Sequence, residues 1–552
     1  MYSDKENINI LTALLLAHGV RHAVVCPGSR NAPITHNLCE ARGMTCVSVT
    51  DERSAAFVAL GKAQALGEPV VVCVTSGSAL VNTLPAVVEA WYQHVPIIVV
   101  SADRPAAMIG QLQGQTMPQQ KTLEAFWAKE VSLPEPHDDV ERWYCNRLAN
   151  EALCAMKQSG RGPVHINVPI SEPLFNFTTA ELPTERRVSL MDNHLWPSEL
   201  TEEFLVSSRP MLVVGQLQCT VARRVSGAIR RLEESVVVLS EQLATCGNAP
   251  CHFDEALIGI GEQEAYKPDY IIYIGDTLVS KRAKHFLQHC HPKSCVVVNA
   301  SGELTDVTMN VTDVVVCPVE DALDSLCEKL ESGDVALGNE ASAFRGRWAM
   351  ALDKWAIRCK VFEPAYSQMM AVRRLCEQTN GQECHMQFAN SSAVRLGQLY
   401  SSHHLYVNRG VNGIEGSLST AVGFASEKDV TVYCVIGDLS FFYDQNALWN
   451  GVGKRHLRMV VLNNGGGGIF HQLRGLEQSP YRDSFVSATH TASAKGVCEA
   501  TGVAYKAASN EEELAEGISW ITRGQATGPL LLEVFTDAEI DAREYKKYLE
   551  TK

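Results

Sequence analysis

Short apolar runs punctuate the first 180 residues, and each leads into a polar or glycine-bearing loop. His22–Cys26 leads to Pro27-Gly28-Ser29-Arg30, Thr45–Val49 to Asp51-Glu52-Arg53, Val70–Val74 to Thr75-Ser76-Gly77-Ser78, and Pro96–Ser101 to Ala102-Asp103-Arg104-Pro105. Runs this short and β-branched predict strands buried on both faces of a doubly wound parallel sheet. Helical patterns lie between them. The first opens at Ser3-Asp4-Lys5-Glu6, which reads as a capping box, with apolar positions at Ile8, Leu11, Leu15 and Ala17. Such sheets bind ligands beyond the carboxyl ends of their strands, so four chemically loaded loops fall on the expected edge.

Periodicity fades near Phe175–Pro197, where Pro, Thr and Glu gather as in a linker. A second alternating block predicts strands at Met211–Gly215, Val236–Ser240, Tyr270–Gly275 and Val296–Ala300. Residues 331–345 again read as linker. A third block predicts strands at Leu405–Asn408, Val430–Ile436, Met459–Leu462 and Leu530–Phe535. The fold class is α/β, with three doubly wound parallel-sheet domains in series at 1–180, 195–335 and 346–552. A chain of 552 residues is long enough for that number of cores.

Composition narrows the field. The net charge of −15 makes a nucleic-acid or anionic-membrane binder a poor reading, because both need a dense basic footprint. No run approaches the roughly 18 apolar residues of a membrane span. Asp4 and Glu6 stand where a signal peptide would carry basic residues, so a cytoplasmic location is expected. The 18 cysteines are scattered singly, the nearest being Cys246…Cys251 and Cys290…Cys295. They read as buried free thiols rather than as zinc ligands or a disulfide framework. His403-His404 reads as a solvated turn.

The strongest chemical signal lies in the third block. Val430–Ile436 ends in Gly437-Asp438-Leu439-Ser440, and Leu462-Asn463-Asn464 runs into Gly465-Gly466-Gly467-Gly468. Magnesium takes about six oxygens, few of them from charged side chains, and phosphates supply the rest. Asp438, Asn464 and a backbone carbonyl fit that need, and the glycines let the backbone approach a diphosphate. A weaker signal precedes it. Asn408-Arg409-Gly410-Val411-Asn412-Gly413-Ile414-Glu415-Gly416 leads into a small-residue helix at Leu418–Ala425, and a helix start offers free amides to phosphate.

Gly437-Asp438 with the spaced Asn463-Asn464 resembles the metal- and diphosphate-binding motif of thiamine-diphosphate enzymes. Glu52 stands where a partner domain of such enzymes donates a glutamate. The full set of loops, with Lys281-Arg282 and Asn390-Ser391…Arg395, is similar to one family among them. This is the 2-succinyl-5-enolpyruvyl-6-hydroxy-3-cyclohexene-1-carboxylate synthases of menaquinone biosynthesis, which also carry Leu at the position of Leu439. The likeness covers nearly the whole chain and is thinnest in the middle block.

The resemblance implies a transferase with thiamine diphosphate and Mg2+, Mn2+ being an alternative metal. It makes 1–180 the pyrimidine-binding, 195–335 the central and 346–552 the diphosphate- and metal-binding domain. It implies that Glu52 is catalytic through a hydrogen bond to the aminopyrimidine ring. Thr75, Gly77, Gly413, Ile414, Gly437, Asp438, Leu439, Ser440, Asn464, Gly466 and Ile469 would complete the cofactor site, with Asp438, Asn464 and Gly466 on the metal. The substrates would be 2-oxoglutarate, held by Ser391 and Arg395, and isochorismate. Ser29, Arg30, Arg104, Gln115, Lys281, Arg282 and Arg409 would surround isochorismate, with Ile469 and Phe470 as an apolar wall. Arginine suits such dicarboxylates because its planar fork grips both oxygens. The implied assembly is a homodimer or homotetramer with sites between subunits. Another thiamine-diphosphate 2-oxo acid decarboxylase, an acetolactate-synthase-like lyase and a non-catalytic scaffold remain alternatives.

Overall fold

Val70–Val74 is apolar at all five positions and fully buried, as a strand inside a sheet covered on both faces must be. It is one of six strands in the first sheet of the computed structural model. The described residues are 1–156, 162–188, 195–247, 249–302, 305–333, 335, 337–473, 475–523 and 527–550.

The first sheet holds β1 (His22–Val25), β2 (Thr45–Ser48), β3 (Val70–Val74), β4 (Ile97–Asp103), β5 (Lys129–Ser132) and β6 (Val164–Pro169), in spatial order β2-β1-β3-β4-β6-β5. The second holds β7 (Pro210–Val214), β8 (Val237–Ser240), β9 (Tyr270–Ile274), β10 (Ser294–Asn299) and β11 (Asp313–Val316), in order β11-β10-β9-β7-β8. The third holds β12 (His385–Phe388), β13 (Leu405–Tyr406), β14 (Val432–Gly437), β15 (Leu457–Asn463), β16 (Ala504–Ala508) and β17 (Leu530–Phe535), in order β13-β12-β14-β15-β17-β16. Pairing is parallel, as in β1 with β3, β7 with β9 and β12 with β14. The expected three parallel α/β sheets in series are therefore present. The first and third share one topology, and each reverses its strand order between its first and third strands. Crevices at such reversals receive ligands.

The chain packs as two compact units. One comprises Met1–Asp192, Gly410–Asp429 and Tyr443–Leu457, and contains the first sheet. The other comprises Asn193–Arg409, Val430–Phe442 and Arg458–Lys552. Within this second unit the middle and third sheets share a continuous apolar core, in which Met211 and Phe286 belong to the same cluster as Phe388, Val460 and Tyr548.

Several expectations need correction. The helix Glu6–Ala17 has Lys5 at its N-cap and no side-chain cap; Ser3 Oγ instead accepts the Lys5 amide at 3.2 Å, and Ala17 is exposed. β2 is not buried on both faces: it is an edge strand, exposed at Thr45 and Ser48. Residues 331–345 are not a linker throughout, because the helix Asn339–Val361 begins inside them and the helix Val319–Ser332 ends there. Residues 334 and 336 of that stretch, and 189–194 of the earlier one, lie outside the described residues. His403-His404 is not a solvated turn. His404 is buried, with Nδ1 at 3.2 Å from the Thr245 carbonyl, and half-buried His403 meets the Thr379 carbonyl at 3.0 Å.

Candidate functional site

The expected site residues divide between the two units. In the first unit, Asp51 caps the helix Glu52–Leu66 by accepting the amides of Arg53 and Ser54, which sets Glu52 as its first residue. Glu52 is half-buried and accepts from Asn82 Nδ2 at 3.3 Å. It is not paired with Arg53, whose guanidinium lies 4.5 Å over the Tyr443 ring and donates to the Tyr443 carbonyl.

That helix lies against the helix Ser417–Ala425 with backbones nearly touching. A Cβ on Gly61 would stand 2.0 Å from the Thr420 carbonyl oxygen, and one on Gly423 would stand 2.1 Å from that of Val58. Ser54 Oγ and Ser419 Oγ are 3.1 Å apart, and buried Asp444 accepts both the Ser419 amide and its hydroxyl. The loop entering Ser417–Ala425 is thus held in register with Glu52. Its Gly413 is half-buried and its Ile414 is exposed. Buried Glu89 fixes the loop's other end, accepting the amides of Gly410 at 2.7 Å and Val411 at 2.9 Å.

The reversal of the first sheet carries unspent polar groups. Thr75 Oγ1 and Asn31 Oδ1 are buried and have no hydrogen-bond partner among the described residues, and Gly28 lies so close that a Cβ would clash with both side chains. Gly77, at φ 79°, caps the helix Ser78–Tyr92, and its amide donates to Gln119 at 2.7 Å. Buried donors and acceptors without partners are costly, so this nook suits a polar ligand. Of the glutamines near this loop, Gln119 is buried and structural, whereas Gln115 is exposed, with its backbone against Gly77.

In the second unit, β14 delivers Gly437 and buried Asp438. Asp438 Oδ1 accepts the Leu439 amide at 2.7 Å and Oδ2 the Gly466 amide at 2.9 Å, while His490 Nε2 stands 3.4 Å from Oδ2. Burial pushes this carboxyl above its ordinary range, against the pull of those amides and His490. Ser440 is buried and Leu439 half-buried beside it. Asn463 turns inward to Glu533 at 2.8 Å; Asn464 instead donates its amide to Asp541 at 3.0 Å, which leaves its carbonyl oxygen for another partner. Glycine here keeps the Asn464 side chain in place and is required by backbone at Gly466. A Cβ on Gly468 would stand 2.1 Å from Asn464 Nδ2, and Gly466, at φ 155°, would press on the Ser487 carbonyl. The Gly466 carbonyl accepts from Gly468 at 2.9 Å and retains a second lone pair. Ile469 and Phe470 are half-buried in the short helix Gly468–Gln472.

This donor set fits a hard divalent ion bound with phosphate: one carboxylate, one amide oxygen and one carbonyl, beside glycine backbone. No group of three or more His, Cys, Asp and Glu side chains able to hold a metal occurs among the described residues.

The expected cations differ in setting. Arg30 is buried and donates to the Ile170 carbonyl at 3.0 Å and to Glu172 at 2.9 Å; Ser29 beside it is exposed. Arg104 is half-buried, with Nε 3.3 Å from the Gly114 carbonyl. In the second unit, Arg409 is buried and donates to Asn390 Oδ1 at 3.2 Å. Arg282 and Arg395 both face Asp254, Arg282 through a 2.6 Å ion pair. Arg395, Glu241 and Tyr545 line a small cavity with Asp254. Lys281 is exposed at the start of the helix Lys281–Gln288. Ser391 caps the helix Ser392–Tyr400 at φ 70°, ψ −127°, a region that side-chain-bearing residues rarely occupy.

Sequence reasoning missed Glu89, Glu241, Asp254, Asp444, Glu533 and Asp541. All are buried or half-buried acids that brace the expected residues, and a lone acid in a sequence carries no signal of its partners.

Comparison with known proteins adds independent findings. Residues 8–124 match the family described as thiamine pyrophosphate enzyme, N-terminal TPP binding domain, and residues 389–534 the corresponding C-terminal TPP binding domain. The chain is 42% identical over 566 residues, 99% of each chain, to a 2-succinyl-5-enolpyruvyl-6-hydroxy-3-cyclohexene-1-carboxylate synthase of Bacteroides thetaiotaomicron. It is 42% identical over 561 residues, again 99% of each chain, to the protein of the same name from Bacteroides fragilis. It is 36% identical to that of Desulfotalea psychrophila, over 97% of this chain and 98% of the other.

Proposed function

The chain belongs to the family of 2-succinyl-5-enolpyruvyl-6-hydroxy-3-cyclohexene-1-carboxylate synthases, and from that premise we propose that it is the thiamine-diphosphate-dependent transferase of this step in menaquinone biosynthesis. In this reading 2-oxoglutarate loses carbon dioxide and its remaining four-carbon unit adds to isochorismate. The observation that carries the reading is that a helix-start glutamate, Glu52, a strand-end Asp438 and a glycine-cradled Asn464 all occur in a chain alike to those synthases from end to end.

Bound thiamine diphosphate supplies a nucleophilic carbon and a sink for the electrons released with carbon dioxide. The chain's own groups do the rest. Glu52 is fixed at its helix start and offers a carboxylate to a ring nitrogen. The Thr75–Gly77 turn and the Gly413–Ile414 loop contact the cofactor, and the exposed Ile414 gives it an apolar support. Gly437, Asp438, Leu439, Ser440, Asn464, Gly466 and Ile469 form the diphosphate side, and Asp438, Asn464 and the Gly466 carbonyl hold the metal, Mg2+ or Mn2+. Ser391 and Arg395 take the 2-oxoglutarate carboxylate. Ser29, Arg30, Arg104, Gln115, Lys281, Arg282, Arg409 and Phe470 serve isochorismate. Domains at 1–180, 195–335 and 346–552, a homodimer or homotetramer with sites shared by subunits, and a cytoplasmic location belong to the same proposal. No helix among the described residues is long and apolar enough to cross a membrane.

The test is consumption of 2-oxoglutarate by purified protein with thiamine diphosphate and Mg2+, with and without isochorismate. Carbon dioxide release coupled to isochorismate loss supports the proposal. Rapid release from pyruvate with none from 2-oxoglutarate overturns it in favour of another 2-oxo acid lyase.

A further inference from the structure

The second sheet carries at its carboxyl edge two thiols that the proposed reaction does not use. Cys219 is the first residue of the 15-residue helix Cys219–Glu233, and Cys246 follows β8. Far apart in sequence, their thiols are hydrogen-bonded to each other, and neither is fully buried. The free amides of a helix start favour negative charge on the first side chain. One turn along, Arg223 Nη2 stands 3.9 Å from Cys219 Sγ. The Tyr406 hydroxyl hydrogen-bonds to the same sulfur, and His404 lies beside it, stacked edge-on to Tyr406 at 4.8 Å. Burial pushes the His404 imidazole down, against the pull of Cys219. The hydrogen bond from Cys246, with His404, Tyr406 and Arg223, brings the Cys219 thiol down to about 5 against its burial, while the same hydrogen bond and burial push Cys246 up. Cys219 is therefore the more acidic thiol of the pair, with the Cys246 thiol in contact. Reactive cysteines sit in partly exposed, electropositive surroundings of this kind.

We propose that Cys219 and Cys246 form a peroxide-reactive dithiol, Cys219 attacking and Cys246 resolving. The Cys219 thiolate attacks one oxygen of hydrogen peroxide or an organic hydroperoxide. The O–O bond breaks, the leaving oxygen departs as water or alcohol after taking a proton, and Cys219 becomes a sulfenic acid. The Cys246 thiol gives up its proton and attacks that sulfur; an S–S bond forms, the S–O bond breaks and water leaves. Two thiols have then lost two electrons and two protons, and the peroxide has gained them.

The disulfide reaches further than the pair. Tyr406 ends β13, and the next residue, Val407, accepts from Gln216 Nε2 at 3.2 Å and from the Arg409 amide at 2.9 Å. Closing the bond takes away the thiol that the Tyr406 hydroxyl bonds, on the segment that leads to Arg409. An effect on turnover rests on the reading of Arg409 as a substrate residue; the thiol chemistry does not.

A second pair serves as comparison. Cys39 also hydrogen-bonds a thiol, that of Cys46, but it lies in the last turn of the helix Ala32–Glu40, where outward carbonyls disfavour a thiolate. The test treats the reduced full-length protein at about pH 6.5 with less than one equivalent of hydrogen peroxide, then blocks, digests and maps it by mass spectrometry. Cys219–Cys246 should be the first disulfide formed. In Cys246→Ser, dimedone should trap a sulfenic acid at Cys219, and iodoacetamide near pH 6 should label wild-type Cys219 about tenfold faster than the exposed Cys39. A first disulfide at Cys39–Cys46, or labelling of Cys39 ahead of Cys219, overturns the proposal. The wild-type map needs no variant, so a misfolded Cys246→Ser leaves the test decisive.

Discussion

Glu89 holds the amides of Gly410 and Val411 on its two carboxylate oxygens, at 2.7 and 2.9 Å, from a fully buried position. The loop that carries Ile414 is therefore pinned by a group far from it in sequence. Glu89→Ala leaves two amides without acceptors and should cost about 1–3 kcal/mol in a urea titration. The same variant should bind thiamine diphosphate more weakly, by calorimetry, because the loop is no longer fixed. Unchanged stability and affinity would mean that the loop finds its shape without Glu89.

Two glycines separate packing from ligand approach. Gly423→Ala places a methyl 2.1 Å from the Val58 carbonyl and must push apart the helices that set Glu52. Overpacking of this kind costs about 1–3 kcal/mol, so a lowered melting temperature without cofactor is expected. Gly437→Ala meets nothing within 4 Å. It should melt near wild type without cofactor and lose most of the stabilisation that added thiamine diphosphate and Mg2+ confer. The reverse pattern would place the diphosphate elsewhere.

Ser391 carries its side chain in a strained backbone conformation, which costs of order 1–3 kcal/mol. Ser391→Gly should relieve that strain and raise stability by about 1 kcal/mol. If Ser391 grips the 2-oxoglutarate carboxylate, the same change raises the KM for 2-oxoglutarate. Arg395→Ala should raise it further. A defect confined to isochorismate would show that the two pockets are exchanged.

Burial raises Glu241 from 4.5 to about 7, partly offset by the Val279 and Ser280 amides and by Arg409. A carboxyl whose pKa is raised on folding holds its proton more tightly in the folded state. Its contribution is complete below the unfolded pKa and is lost as pH rises through the folded one. Stability should therefore decline between about pH 4.5 and pH 7, by up to the order of 3 kcal/mol from this group. Glu241→Gln should flatten that decline in urea midpoints taken at about pH 5 and pH 7. An equally steep decline in the variant would assign it to other acids, such as Asp444, raised to about 6.

Most strands legible in the sequence were those whose side chains are apolar on both faces, as in Val70–Val74 and Pro210–Val214. Those missed had specific reasons. β5, β11 and β16 are edge strands with at most one buried position each, and β5 and β16 carry no apolar run. β6 alternates apolar residues with His165 and Asn167, which are buried only because Ser101, Gln119 and Glu130 satisfy them. The site shows the same division. Glu52, Asp438 and Asn464 could be read because glycines and strand ends flank them. Glu89, Asp254 and the Cys219–Cys246 contact could not, since each depends on a partner brought near only by folding.

Glu52 is the group on which the proposed chemistry turns, so Glu52→Gln is the most direct measurement. It keeps the side chain's shape and removes the charge that a ring nitrogen of the cofactor requires. Thiamine diphosphate affinity should stay within a few-fold of wild type, while 2-oxoglutarate and isochorismate consumption falls by a factor of about 100 or more, in the range expected for loss of an acid–base group. A Glu52→Gln enzyme that binds the cofactor and turns over both substrates at the wild-type rate would contradict the assignment.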